Sequence, residues 1–476
     1  MARGPDILWV TLESVRADHT PLYGYERDTT PHLRELSGRA DATVLEEGIS
    51  ASMWTPASSA SMLTGTHLST HNVGRDGKGE KKLPDRIDTF PELLRRAGYE
   101  TALFSSVSYL DAATGLDRGF EHSQYLRMER SNFSHLDAVG RDSWRCCVRR
   151  WAERPTIRPG ELAKDLSDDK NCLVARQAKR WFRRQYSGDR PFFVYAHVFS
   201  PHHAYLPIRR FIDAFADEIE MDVWDAYSLS ERVYADAESI NSRIANGLQL
   251  SESEWEAIEA LYDSEILYAD HTANEIVEAA ESASTGDLII VVTADHGDLF
   301  GECGLIGHSL VLHDGLIKVP MLVIGIDDIE DGDGKLSQHV DLTYTLASVT
   351  GTLTDQFEGR DLRDPDRDCA ISQRGSAALE AYTKHNPEFE TSQFFEDPYT
   401  SVRTTDHKYV TNHRKSVLYE LPDEQTNVME EYPSIVESLA ERLVQEGIDW
   451  SKRPDQEPAE FSSSARSRLR DLGYLS

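Results

Sequence analysis

The sequence predicts an α/β fold, with a mostly parallel central sheet flanked by helices and a smaller C-terminal α+β domain. Three observations carry this. Short, almost wholly apolar runs recur along most of the chain and read as strands covered on both faces. Amphipathic patterns of helical period, with recognisable caps, alternate with them. Beyond about residue 371 the pattern shifts to the alternation of antiparallel strands.

In chain order, the first strand is Ile7 to Leu12. Thr30 with Pro31 then opens a helix, since a hydroxyl ahead of a first-position proline satisfies exposed backbone N–H groups. Thr89 with Pro91 opens another, which Gly98 closes before a strand from Thr101 to Ser105. A further strand runs from Pro191 to Val198. The longest helix is expected from Glu252 to Ser282, where Trp255, Ile258, Leu261, Ile266, Ala269, Ala273, Ile276 and Ala280 fall near helical spacing. Strands Asp287 to Thr293 and Pro320 to Ile326 follow, then an Asp/Gly-rich loop from Asp327 to Gly334 and a helix from Val340 to Val349. Ser401 to Leu421 reads as an antiparallel hairpin and Ile435 to Gln445 as a charged helix. The expected domains are 1–370 and 371–476, without an internal repeat.

Composition narrows the function classes. Of 476 residues, 82 are acidic and 50 basic, giving a net charge of -32 that excludes nucleic-acid binding through bulk charge. Only 12 of the basic residues are lysine. Such an acidic, lysine-poor surface suits high salt, where the Debye length falls to about 3 Å and crowded carboxylates hardly repel. The five cysteines (Cys146, Cys147, Cys172, Cys303, Cys369) lack paired spacing and are expected to be reduced. No secretion signal and no apolar stretch of about 20 residues are seen, so a soluble cytoplasmic protein without a membrane span is expected. Arginines are concentrated from Arg127 to Arg158, within a segment 127–170 that reads either as a lid over an anionic substrate or as a helix neutralised by the acidic surface.

Ligands of open parallel sheets bind beyond the carboxyl ends of the strands. Glu13 follows the first strand, and Asp295-His296-Gly297 follows Asp287 to Thr293, placing hard oxygen and imidazole donors where a metal would sit. Turn chemistry explains the second corner equally well. Thr55-Pro56 opens a helix ending at Gly65. Thr55 reads either as the N-cap or as a nucleophile beside a helix N-terminus that stabilises anionic oxygen.

The stretch Ile7 to His19, with Tyr23-Gly24-Tyr25, Thr29-Thr30-Pro31, Thr55 to Gly65, Gly98 to Ala102 and Ser200-Pro201-His202-His203-Ala204-Tyr205, resembles the sulfatase family of the alkaline phosphatase superfamily. So do Thr293 to His308, Lys318-Val319-Pro320, Asp406 to Tyr409 and Leu418 to Leu421, all in the family's order. The resemblance implies a catalytic sheet domain with a small C-terminal sheet domain. It also implies one divalent ion held by Glu13, Asp295, His296 and Thr55, with Thr55 as nucleophile. His202 and His308 match positions that bind ester oxygens or protonate the leaving group, and Lys318 is a further substrate-binding candidate. His19, His71, His203 and His313 are second-line candidates, for which loop and capping roles remain open.

Two departures qualify the activity implied. The family's Cys-x-Pro-x-Arg or its serine variant is replaced by Thr55-Pro56-Ala57-Ser58-Ser59, so no formylglycine is expected. Ser105-Ser106-Val107-Ser108 replaces the family's Gly-Lys-Trp-His, removing a lysine and a histidine that would hold sulfate. The metal is calcium, magnesium, manganese or zinc. The expected activity is metal-dependent hydrolysis of sulfate or phosphate esters. The alternatives are transfer of a sulfo or phospho group to a glycan or lipid, and a catalytically weakened anionic-glycan-binding protein. The expected partner is an anionic ester substrate, with glycan and lipid both open; oligomeric state is not legible.

Overall fold

The structure, a computed structural model, describes residues 3–125, 170–329, 334–364, 367–451 and 456–461, with positions 466 and 469. The arginine-rich stretch from Arg127 to Arg158 lies outside them. The strands are β1 (Asp6–Leu12), β2 (Ala42–Val44), β3 (Glu47–Ile49), β4 (Glu100–Ser105), β5 (His122–Tyr125) and β6 (Phe192–Val198). Then come β7 (Leu288–Ala294), β8 (Leu299–Phe300), β9 (Ile306–Gly307), β10 (Met321–Ile324) and β11 (Leu336–Gln338). The C-terminal strands are β12 (Ala370–Arg374), β13 (Tyr399–Arg403), β14 (His407–Thr411) and β15 (Ser416–Glu420).

The main sheet has seven strands in the order β2-β10-β7-β1-β6-β4-β5. β1 lies in the middle, parallel to β6 on one side and β7 on the other, with every residue buried. This double coverage is what the unbroken apolar runs announced. β10 differs from expectation: it pairs antiparallel with β7 and with β2. No crossover helix returns the chain after β7. Instead it makes a looped excursion through β8 and β9 and re-enters the sheet in the opposite direction, and that excursion carries site residues.

The long helix Glu252–Ala283 starts at a capping box in which Ser251 and Glu254 satisfy each other's backbone N–H groups. It packs on helix Lys170–Arg184, while Thr55–Thr64, Phe90–Arg96 and His339–Thr350 form a second helical group. Thr89 caps Phe90–Arg96 as expected, again through a capping box, with Glu92. Thr30 does not cap Pro31–Ser37 through its side chain. The Asp270 carboxylate of the long helix takes that place, accepting N–H bonds from His32 and Leu33 at 2.9 Å each. A carboxylate that reaches two exposed amides outcompetes a hydroxyl.

β12 to β15 form a four-stranded antiparallel meander: the expected hairpin segment Ser401 to Leu421 holds β14, β15 and most of β13, and β12 adds a fourth strand. Cys369, Ile371, Val402, Tyr409 and Leu418 pack on one of its faces with Leu439 of helix Pro433–Gln445. Ala370, Tyr399 and Val410 join the main core. One reading of the cysteines is corrected: Cys172 is disulfide-bonded, a pairing that sequence spacing does not reveal, while Cys303 and Cys369 are free thiols. Among the described residues no helix is long and apolar enough to cross a membrane.

A buried charge network ties the C-terminal sheet to loops of the main sheet. Lys408 is wholly buried, with Nζ 2.5 Å from Asp314 Oδ1, 2.6 Å from Glu424 Oε2 and 3.1 Å from the Leu312 carbonyl. Lys408→Met leaves the acidic side of this network without its ammonium and is expected to cost about 3–5 kcal/mol, measured by denaturant unfolding. Burial raises the Asp314 carboxyl, but Lys408 and Arg403 outweigh it and hold it well below the usual 3.8. A depressed carboxylate stabilises the fold above its unfolded value, so this contribution is expected to be lost as pH falls below about 4.

Candidate active site

Three strand ends converge. Glu13 follows β1, Asp295 follows β7, and His197 lies one residue from the end of β6. All three side chains are buried. Just beyond Glu13 the chain turns through Ser14 at φ 58, a left-handed conformation unusual for serine. The turn lets the Ser14 N–H donate to Asp295 Oδ1 at 3.0 Å, and Tyr262 of the long helix braces it by donating to the Ser14 carbonyl at 2.7 Å. The neighbouring Gly297 is required by close approach: a Cβ there would lie 2.2 Å from the Gly315 carbonyl oxygen.

Thr55 is the first residue of helix Thr55–Thr64, whose N-cap is Trp54, so the N-cap reading of Thr55 is corrected. Its hydroxyl is turned away from its own helix amides into the cluster. Thr55 Oγ1 donates to Glu13 Oε1 at 2.5 Å and lies 3.2 Å from His296 Nε2. His296 Nδ1 is 2.8 Å from the Gly297 carbonyl, which takes its proton and leaves the lone pair of the neutral ring on Nε2, facing Thr55.

The donors of Glu13, Asp295 and His296 lie within 4.8 Å of one another. Several buried atoms there have no hydrogen-bond partner: Glu13 Oε2, Asp295 Oδ2 and both nitrogens of His197. His197 Nε2 approaches Glu13 Oε2 at 2.8 Å, but without the alignment of a hydrogen bond. Buried carboxylate oxygens left unpaired beside an inward-facing imidazole lone pair fit a divalent cation, for which oxygen and nitrogen donors of this set are suited.

The electrostatics of the cluster are uneven. Burial raises the Glu13 carboxyl, but the adjacent His197, with His202 and His296, outweighs it and holds Glu13 well below the carboxylate range. Burial and the charge of Glu13 raise Asp295 above 3.8. Burial lowers His296, yet Asp295, Glu13 and Asp298 prevail and raise it above 6.5. The two neighbouring carboxylates are thus shifted in opposite directions.

A second shell of imidazoles faces this cluster. His308 Nδ1 lies 3.0 Å from Asp298 Oδ1, and Asp298 Oδ2 accepts a bond from the Tyr205 hydroxyl at 2.7 Å. Burial raises Asp298, but His308, His203 and His296 lower it to about 2. The carboxylate therefore serves to orient His308. The His296 and His308 rings are 4.7 Å apart, and the His202 and His308 rings 5.6 Å. His202 Nδ1 is 2.7 Å from the His203 carbonyl, and burial pushes its pKa down to about 4. His203 stacks on His308 at 5.1 Å.

The structure therefore brings together Glu13, Thr55, Asp295, His296, His202, His308 and His203. Lys318 pairs elsewhere: its ammonium is 2.6 Å from Glu47 Oε1. His19 pairs with Asp263 at 2.8 Å, and His71 lies between Ser61 Oγ at 3.1 Å and the Val73 amide at 3.0 Å. His313 caps helix Asp314–Ile317 through the Gly315 amide. Sequence reasoning missed His197 and Asp298. His197 sits in an apolar strand, where an imidazole reads as core. Its one signal was a position level with Thr11, close to the end of the central strand.

Residues 5–352 match the sulfatase family. The chain is 23% identical over 366 residues to a choline-sulfatase of Rhizobium meliloti, covering 73% of this chain and 68% of the relative. A shorter stretch of 112 residues is 36% identical to the low-salt glycan biosynthesis sulfotransferase Agl7 of Haloferax volcanii, covering 21% of this chain and 27% of that protein. The fold is similar to the crystal structure of a phosphonate monoester hydrolase of Agrobacterium radiobacter, with a TM-score of 0.67 and 19% identity over 93% of this chain and 95% of that one. With most of its length matching that family and its buried carboxylates and imidazoles gathered at the strand ends, the chain belongs to the sulfatase family, and it is an ester hydrolase.

Proposed function

We propose that the protein hydrolyses sulfate or phosphate esters with Thr55 as nucleophile and with one divalent cation held by Glu13, Asp295, His296 and Thr55. The observation that carries this reading is the Thr55 hydroxyl, buried at a helix start and directed at Glu13 and His296 rather than at its own helix. A divalent cation bound there supplies charge neutralisation and a lowered hydroxyl pKa.

The chain's own residues account for the rest. Thr55 Oγ1, held by its hydrogen bond to Glu13, loses its proton to solvent and attacks sulfur or phosphorus as the ester oxygen departs. His308, oriented by Asp298, gives the leaving oxygen its proton. At the start of helix Thr55–Thr64 the backbone N–H groups of Thr55 and Ala57, Pro56 having none, would stabilise charge on the transferred oxygens. Water then attacks the same sulfur or phosphorus, giving a proton back to His308, and the Thr55 oxygen departs and takes up a proton from solvent. Thr55 cannot supply formylglycine, and Ser59 stands where the family's supporting arginine is expected.

The test is turnover of an aryl sulfate, a phosphate monoester and a phosphodiester by purified protein in high salt, with calcium, magnesium, manganese or zinc. Cation-dependent release of the aryl alcohol from at least one of them is the expected result. A folded protein inactive on all three with every cation would contradict it. Similarity to a sulfotransferase supports a second reading, transfer of the group from Thr55 to a sugar or lipid hydroxyl. Release of free sulfate or phosphate in step with the alcohol separates hydrolysis from transfer.

A further inference from the structure

A cavity of about 190 Å³ opens beside His203 and His308, with Trp54 and Arg374 in its wall. Arg374 is the last residue of β12, so the C-terminal sheet contributes to a cavity of the catalytic domain. Its guanidinium is unusual for this protein. With a net charge of -32, carboxylates are abundant, and the buried Arg16, Arg367 and Arg403 each pair with at least one. Arg374, among the described residues, has no ion pair. Its Nη1 donates to the Gly375 carbonyl at 3.3 Å, and its Nε is buried without a hydrogen-bond partner. None of the residues lining the cavity is an aspartate or glutamate.

A half-buried guanidinium kept from the surrounding carboxylates, at the wall of a cavity free of them, selects for an anion from outside. With Nη1 occupied and Nε buried, Nη2 is left as the charged donor for an oxygen of a carboxylate or sulfate. The cavity meets the candidate site at His308, so the anion and the scissile ester would belong to one molecule. Resting on the function proposed above, we propose that Arg374 binds a second anionic group of the substrate, so that the protein prefers esters carrying a further sulfate or carboxylate.

The test compares glucosamine 6-sulfate, glucosamine 2,6-disulfate and glucuronic acid 2-sulfate by calorimetry at fixed ionic strength with a divalent cation. Wild type is expected to bind at least one dianion about 10- to 100-fold more tightly than the monosulfate, the range of a charge-assisted pair. Which dianion wins separates sulfate from carboxylate. Arg374→Gln is expected to abolish that ratio and Arg374→Lys to restore part of it. In wild type, the preferred dianion should also slow phenylglyoxal labelling of Arg374, located by mass spectrometry, a readout that does not depend on a variant folding. Absence of a preference in wild type, or a preference undiminished in Arg374→Gln, overturns the proposal. If aryl ester turnover persists in that case, only the role of Arg374 falls; if no ester is turned over, the proposed function falls with it.

Discussion

Thr55→Ala is expected to lower kcat/KM by about 10³-fold or more, because removing a nucleophile leaves only binding and charge stabilisation to act. Thr55→Ser is expected to recover much of the loss, since it keeps the oxygen that lies 2.5 Å from Glu13. The alanine variant should fold normally. Trp54 holds the N-cap position without a side-chain capping bond, and the Thr55 hydroxyl makes no bond to its own helix, so the substitution removes no cap. Unfolding temperature and turnover, measured together, separate loss of chemistry from loss of structure. If Thr55 were only a helix-starting residue, serine and alanine would differ little in activity.

Asp295→Asn is the second large effect, and it should act in opposite directions with and without a cation. Without one, Glu13 and Asp295 are buried side by side, and burial with the Glu13 charge raises the Asp295 pKa. A group whose folded pKa lies above its unfolded 3.8 favours the folded state most at low pH, so the Asp295 contribution to metal-free stability should fall as pH rises above about 4. Asparagine removes that charge, and metal-free Asp295→Asn should unfold at an equal or higher temperature than metal-free wild type at pH 7. Added cation should stabilise wild type by about 2.7 kcal/mol at a hundredfold excess over Kd, and the variant by little. Thermal unfolding after chelation, and again after adding calcium, magnesium, manganese or zinc, checks both arms. The cation arm should strengthen with pH, since ligands must lose protons to bind.

The strand-end donors were legible because each follows an unbroken apolar run: Glu13 after β1, Asp295 and His296 after β7. Apolar composition marks a buried strand but carries no direction, which is why β10 could be located but its antiparallel course could not. Local caps were legible where both partners are local, as at Thr89 and Glu92. The cap of Pro31–Ser37 was not, because Asp270 arrives from a helix far along the chain. The same holds for His197 and Arg374. One is an imidazole within an apolar strand and the other an arginine at the end of the first strand of the C-terminal sheet, and each acquires meaning only from neighbours the sheets bring to it. Lys318 shows the converse: a cation in a motif that resembles the family's, engaged in this chain by Glu47.

The central claim is that a covalent ester forms on Thr55. Its most direct test is rapid acid quenching of the enzyme during turnover of its best aryl ester, followed by peptide mass spectrometry. The account predicts a sulfo or phospho group on the peptide containing Thr55, absent without substrate. Turnover in which that group appears on a different side chain, with Thr55 unmodified, would contradict it.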